Sequence, residues 1–349
     1  MNHAFTERNV LLTGAGGSIG SALAKSIIGQ RPRSLVLLDH SEFNLHQIEL
    51  ELGDIPGARV GVPILGDICD SALLSEIFEE HEPQIVIHAA AFKHVPLMEN
   101  NPIAAVQNNS LGTNLLAQTA RAHGVATLVM ISTDKAVNPR SVMGASKRVA
   151  ELALLRWDSP RTSMKAVRLG NVFGSQGSVV PTFRRQISTG GPVTVSHPDV
   201  CRYFLSMSDA VELLILAASS RGHGVIFISD PGEPVRILDL AHQMVKEACP
   251  RPEEEIPIVF TGLRPGDKMT EEFFSASESV AATDNERLRQ IGTPDPIHEM
   301  FDAAISELRE AVEARDLTSV LDFLCRLVPE YRPSGTVLAL RKNAAAHSR

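Results

Sequence analysis

Residues 10–24 read "VLLTGAGGSIGSALA". An apolar run ends at Thr13, glycines follow at 14, 17 and 20, and an apolar stretch of helical spacing continues from there. Strand, glycine turn and helix in that order let backbone N–H groups and a helix N-terminus meet a pyrophosphate. Glycine spacing alone is weak evidence, but spacing that follows a strand and opens a helix is the context the motif requires. Gly14, Gly17 and Gly20, with Ser18 and Ile19 between them, are the expected phosphate cradle. A glycine-rich turn without ligand is the competing reading. Asp39 ends the next apolar run, where a carboxylate accepts from the adenosine ribose hydroxyls and repels a 2′-phosphate. NAD is thereby favoured over NADP. Asp39 could instead cap the helix that begins "SEFNLHQIELEL" (41–52), a role open to Ser41 as well.

Beyond this unit the chain keeps alternating. "NVLLT" (9–13), "SLVLL" (34–38), "VGVPIL" (60–65), "QIVIH" (84–88), "TLVMIS" (127–132) and "KAVRLG" (165–170) are strand candidates, with helical patterns at 18–29 and 109–124. The strands are apolar at every position, as they must be when helices cover both faces of a parallel sheet. The expected class is α/β, a Rossmann-type doubly wound parallel sheet with a smaller C-terminal substrate-binding region. Residues 1–170 form the NAD-binding part carrying the catalytic loop. From 171 to 330 glycine and proline become frequent, helices recur at 208–219 and 236–248, and a cap interleaved with the core is expected. The remainder, 331–349, is a tail whose end, "RKNAAAHSR", is polar and expected to fray.

Composition narrows the function. With 44% hydrophobic and 21% charged residues the chain is an ordinary globular one, and a net charge of −8 leaves no basic stripe for nucleic acid. Cys69, Cys201, Cys249 and Cys325 fit neither a metal nor a disulfide spacing, which points to a reducing cytoplasm. The N-terminus is polar, and "VELLILAA" (211–218) is too short for a membrane span. Other cofactor-edge candidates are Asp67 and Ile68 in "GDICD" and the small residues Ala89 and Ala90 after the fourth strand.

The stretch "STDKAVNPRSVMGASKR" (132–148) follows the fifth strand, so Thr133, Asp134 and Lys135 emerge at the carboxyl edge where ligands bind. Met143 and Lys147 lie one turn apart on the following helix, and Lys147 can reach the nicotinamide ribose. With "HAAAFKHVPLMENNP", "NNSLGTNLLAQTA", "RLGNVFGSQGSVVPTF", "RYFLSMSDA" and "GLRPGDK", it resembles extended short-chain dehydrogenase/reductases, specifically UDP-N-acetylglucosamine 4,6-dehydratases of bacterial polysaccharide biosynthesis. Methionine at 143, where a tyrosine base is usual, resembles the larger membrane-anchored branch, whose N-terminal membrane region this sequence does not display.

The resemblance implies a lyase. A hydride leaves carbon 4 for NAD, a base takes the carbon-5 proton, water departs from carbon 6, and the hydride returns there. Lys135 is implied as the base, with a depressed pKa, and Asp134 as the acid. Methionine cannot ionise, and the two tyrosines, Tyr203 and Tyr331, lie outside the segments next to this strand. Asp134 is therefore expected to take the carbon-4 hydroxyl proton and pass one to the carbon-6 hydroxyl, with Thr133 orienting the sugar. A solvated surface ion pair is the competing reading of Asp134 and Lys135.

For a UDP-sugar substrate, Arg202 and Arg264 are candidates for the diphosphate. The resemblance implies Asp267 at the ribose and Asn171 beneath the sugar phosphates, and Val180 and Pro181 are expected against the uracil. Lys93 and His94 are expected to line the sugar or nicotinamide site; His88 reads as structural. A sugar epimerase on the same cofactor and a silent NAD-binding sensor are the alternatives. A homo-oligomer is expected, with "NPIAAVQNNSLGTNLLAQTARAH" (101–123) as the interface helix.

Overall fold

The computed structural model describes residues 4–55, 61–248, 256–292 and 298–347. Five strand–helix steps and a sixth strand build the first half: β1 (Asn9–Thr13), α1 (Ser18–Gly29), β2 (Ser34–Asp39), α2 (Glu42–Gly53), β3 (Val62–Leu65), α3 (Ser71–His81), β4 (Ile85–His88), the short α4 (Val95–Glu99) and α5 (Pro102–Ala105), α6 (Thr113–Ala122), β5 (Thr127–Thr133), α7 (Val142–Arg156) and β6 (Ser163–Leu169). Val60, in the third expected strand, lies outside the described residues. The sheet runs β3-β2-β1-β4-β5-β6 and is parallel throughout, so the order reverses between β1 and β4. Ligands bind at such a reversal, outside the strands' carboxyl ends.

The unbroken apolar strands are explained by packing. On β1, Val10 and Leu12 face Leu23 and Ile27 of α1, whereas Leu11 faces the opposite layer with Leu74, Phe78 and Leu116. Alternate side chains of one strand thus enter two different cores.

The second half adds β7 (Asn171–Val172), α8 (Val179–Ser188), β8 (Val193–Val195), β9 (Cys201–Arg202), β10 (Phe204–Leu205), α9 (Met207–Ser219), β11 (Val225–Ile228), β12 (Val235–Arg236), α10 (Ile237–Ala248), β13 (Ile258–Phe260), β14 (Ser279–Ala282) and β15 (Arg289–Gly292). β11 extends the sheet in parallel beside β6, and β15 and β14 close it antiparallel, giving nine strands among the described residues. The remaining pieces form a small cap around Phe183, Val193, Val195, Val200, Ile237 and Ala241.

Two expectations change here. Residues 106–112, between α5 and α6, form a π-helical turn, so helix runs unbroken from Pro102 to Ala122. That helix is not a free face: α11 (His298–Glu313) and α12 (Leu317–Leu327) pack over α5, the π turn and α7, with Leu308, Leu321, Leu324 and Val328 meeting Val106, Val142 and Val149. These two helices cover the α5 and π-turn part of the segment expected to meet a second copy. The end of the chain also differs, because α13 (Gly335–His347) takes in residues 341–347 of the segment expected to fray, where a run of alanines has the highest helix propensity available, and residues 348 and 349 lie outside the described residues. Among the described residues no helix is long and apolar enough to cross a membrane, and Cys69, Cys201 and Cys325 are free thiols.

Candidate active site

The glycine turn divides its labour. Gly14 has φ +66°, and a Cβ there would sit 2.5 Å from the Ala90 nitrogen, so the loop after β4 lies directly on it. A Cβ on Gly20 would stand 2.0 Å from the Gly14 carbonyl oxygen. These two glycines are demanded by the fold. Gly17, the N-cap of α1, has only the Gly14 oxygen at 3.3 Å near its absent side chain, so its outer side is left open at the positive end of the helix. Gly16, which the sequence did not single out, packs on Asn44.

Asp39 is buried, and its two oxygens accept from the Gly16 N–H and the Ser41 N–H, each at 2.9 Å. The carboxylate pins the cradle to β2 while each oxygen keeps a lone pair. The Ser41 hydroxyl accepts from the Asn44 N–H, so Ser41 is the cap of α2 rather than a free ligand. Asp67 accepts from the Cys69 N–H, Ile68 is a core residue under Gly112, and Ser18 accepts from the Gln176 N–H at 3.0 Å. Ile19 packs half-buried on the first core, and Ala89 and Ala90 continue from β4 beside Gly14.

At the tip of β5 the expected residues meet. Asp134 is fully buried; its Oδ1 accepts from the Thr133 hydroxyl at 2.9 Å and from the Lys135 ammonium at 2.8 Å. The ammonium also donates to the Asn171 side-chain amide oxygen at 3.1 Å, so β5 and β7 are joined through it. Asp134 Oδ2 has no hydrogen-bond partner among the described residues, and neither does Glu271 Oε2. The solvated surface pair is thereby ruled out for Asp134. Lys135, however, is not depressed. Burial pulls its pKa down, but the charges of Asp134 and Glu271 outweigh it and hold it above the ordinary lysine value. The resting side chain is an ammonium.

Glu271 is the functional candidate that sequence reasoning missed. It is 4% exposed, with Oε1 4.0 Å from Lys135 Nζ and 3.9 Å from Arg202 Nε. Burial, reinforced by the Asp134 charge, raises its pKa despite Lys135, Arg202 and Lys268.

Beneath this centre, Lys147 is buried on α7 and makes no hydrogen bond among the described residues. Burial, opposed by Glu151, lowers its pKa to about 8. Lys147→Met is expected to raise stability at pH 7 by about 3 kcal/mol, because each pKa unit is about 1.36 kcal/mol, while abolishing turnover. The unfolded lysine binds its proton up to a higher pH than the folded one. The gain should therefore shrink as pH rises above 8 toward the ordinary lysine value, which denaturation at pH 7 and pH 10 would read. Met143 sits at 3% exposure in the apolar cluster of α7, α11 and α12, a packing residue.

His88 is structural. Thr113 donates its hydroxyl proton to the Asn109 carbonyl, so it accepts from His88 Nε2, leaving Nδ1 to accept from Thr13. Burial and then Lys147 push the imidazole down to about 3, and it stays neutral. Asn109, on the π turn, was also missed. Its amide brackets Phe92, accepting from the N–H and donating to the carbonyl, and donates to Ser146 beside Lys147.

The remaining substrate candidates are dispersed. Arg202 donates from Nη1 to the carbonyls of Cys201 and Met269, and its Nε faces Glu271. Arg264 is largely exposed and pairs with Asp267 at 2.9 Å. Val180 and Pro181 lie half-buried in the first turn of α8. Lys93 donates to the Gln176 carbonyl at 2.7 Å, and His94 lies against Gly177, so both hold the loop that follows β7. A cavity of about 780 Å³ adjoins this region, lined by Asn138, Arg140, Asp267, Lys268 and Arg332.

An order-reversing parallel sheet, an open glycine turn at a helix N-terminus and a capped acid–amine centre define a Rossmann-type α/β protein. Residues 10–292 match the polysaccharide biosynthesis protein family, and the chain belongs to it. It is 44% identical over 281 residues to the capsular polysaccharide biosynthesis protein CapD of Staphylococcus aureus, covering 80% of this chain and 47% of that one. The chain thus spans about half the length of the first curated relatives it matches. A Campylobacter jejuni UDP-N-acetylglucosamine 4,6-dehydratase (inverting) is 30% identical over 79% of this chain and 80% of its own. A UDP-glucose 4-epimerase of Rickettsia rickettsii is equally similar, 30% over 80% and 81%. The X-ray structure of Pen from Bacillus thuringiensis superposes with a TM-score of 0.77 at 30% identity, covering 83% of this chain and 90% of that one.

Proposed function

We propose that the chain removes water across carbons 5 and 6 of a UDP-N-acetylhexosamine through a 4-keto sugar, with NAD retained. The observation that carries this reading is the contact of Asp134, Lys135 and Asn171 at the tip of β5, with one Asp134 oxygen buried and unpartnered. A reaction that moves two protons in sequence needs such a pair, whereas a nucleotide sensor has no use for it.

The residues present fit NAD. The open side of Gly17 would take the pyrophosphate, Asp39 the adenosine ribose and the unbonded Lys147 the nicotinamide ribose. When bound, NAD supplies a hydride acceptor and donor. Asp134 Oδ2 receives the carbon-4 hydroxyl proton and later delivers one to the departing carbon-6 hydroxyl. Thr133 fixes Asp134 by donating to Oδ1, and Lys135 works at carbon 5. The cap of α8, β8 and α10 and the turn bearing Arg264 and Asp267 would hold the UDP moiety.

Incubation with UDP-N-acetylglucosamine followed by mass spectrometry tests the reading, and loss of one water is the expected product. Epimerisation at carbon 4 or 5 would leave the mass unchanged and alter only the sugar's proton spectrum, and a silent binder would alter neither.

A further inference from the structure

Lys135 cannot start as the base, because its resting ammonium can only donate, and it already does so to Asp134 and Asn171. It must lose a proton before it can take one from carbon 5. A proton passed to Asp134 would leave that carboxylate unable to receive the carbon-4 hydroxyl proton. Two protons need two acceptors.

Among the described residues, the second carboxylate within reach of Lys135 is Glu271. Its Oε1 lies 4.0 Å from the ammonium, a distance that a small swing of the flexible lysine stem closes. Its Oε2 is buried and accepts no hydrogen bond. The groups facing it are Lys135 and Asp134 from the tip of β5, Arg202 from β9 at 3.9 Å, and Lys268 from its own segment at 3.9 Å. The neighbouring Glu272 is exposed and spent on Asn138 and Lys268.

Building on the dehydratase reading, we propose that Glu271 is the proton store that turns Lys135 into a base. The ammonium of Lys135 and the carboxylate of Glu271 become an amine and a carboxylic acid. Asp134 then takes the carbon-4 hydroxyl proton as the hydride leaves. The Lys135 amine takes the carbon-5 proton, and the electrons of that C–H bond form the carbon 5–carbon 6 double bond. The carbon 6–oxygen bond breaks, Asp134 protonates the departing hydroxyl, and water is released. As the hydride returns to carbon 6, Lys135 gives its proton back to carbon 5. Glu271 keeps its proton throughout and acts through Lys135 rather than on the sugar. Its burial suits it to the neutral acid form, and its raised pKa agrees.

The test is kcat against pH for the wild type, Glu271→Gln and Glu271→Asp on UDP-N-acetylglucosamine, with circular dichroism confirming folding. Moving a proton from Lys135 to Glu271 leaves the proton count unchanged, so the wild-type profile should be flat across neutrality. In Glu271→Gln, Lys135 must release its proton to solvent, so kcat should be about 10²–10³-fold lower at pH 7 and rise about tenfold per pH unit, with KM little changed. Glu271→Asp should restore the flat profile at a lower plateau. A Glu271→Gln loss that is the same at every pH, or no loss at all, would overturn the proposal. If the wild type itself forms no dehydrated product, the dehydratase reading fails first and this proposal falls with it.

Discussion

Asp134→Asn should lower kcat about a thousandfold, within the span that positioned acid–base groups contribute, and leave KM close to wild type. Asparagine keeps the shape and an oxygen that can still accept from the Thr133 hydroxyl and the Lys135 ammonium. It cannot take up the carbon-4 hydroxyl proton or yield one to the carbon-6 hydroxyl, so both transfers stop in one substitution. The loss should be in turnover, because the amide removes no group that the substrate needs for binding. Met143→Leu is the control: a volume-conserving change in an apolar cluster should leave turnover near wild type. Steady-state kinetics on both variants decide the matter. An Asp134→Asn enzyme that retained most of its turnover would show that some other group receives the carbon-4 proton.

Arg168→Met should cost about 3–5 kcal/mol of stability at pH 7, the range for removing one partner of a buried ion pair. Arg168 is wholly buried on β6, and its fork donates to Glu151 of α7 and to Glu278, with a further bond to the Phe273 carbonyl. Ser132 donates to Glu151 as well, at 2.6 Å, so the network reaches the strand that leads into Asp134 and Lys135. Burial would raise the Glu151 pKa, but Arg168 and Arg148 hold it down at about 2. In the wild type this stability is present above the ordinary carboxylate range and is lost as pH falls toward 2. In the variant the sign should reverse, because buried carboxyls without their guanidinium favour the protonated form. Stability should then fall as pH rises through that range. Arg148, 2.8 Å from Glu151 and 3.4 Å from Glu278, remains and limits the loss. Urea titrations at pH 3 and pH 5 would show the opposite slopes, with the variant's decline continuing toward pH 7.

The legible part of this protein is the part where chemistry sits next to a strand end. The cradle after β1, Asp39 at the end of β2, and Asp134 and Lys135 at the end of β5 are all placed by counting along an alternating chain. Asn171 was found through the resemblance, and its amide meets Lys135 directly. What could not be read are partners supplied from far along the chain. Glu271 lies in "DKMTEEFF", among other acids, and nothing in the spacing separates it from Glu272; only burial does. The protonation of Lys135 was misjudged for that reason, since the second negative charge beside it comes from residue 271. Likewise Arg168 looks like a polar interruption in an apolar strand until Glu278, more than a hundred residues on, is brought against it.

The family match stops at residue 292, yet the helices beyond it are not ornament. They bury Val106, Val142 and Val149, and Ser334 donates to Glu99, which in turn accepts from the Val142 N–H at the start of α7. A protein trimmed at the family boundary would bare a greasy flank and unfasten the helix that bears Lys147. Such a truncate should come out of cells clumped and inert, even though every residue named in the chemistry would still be there.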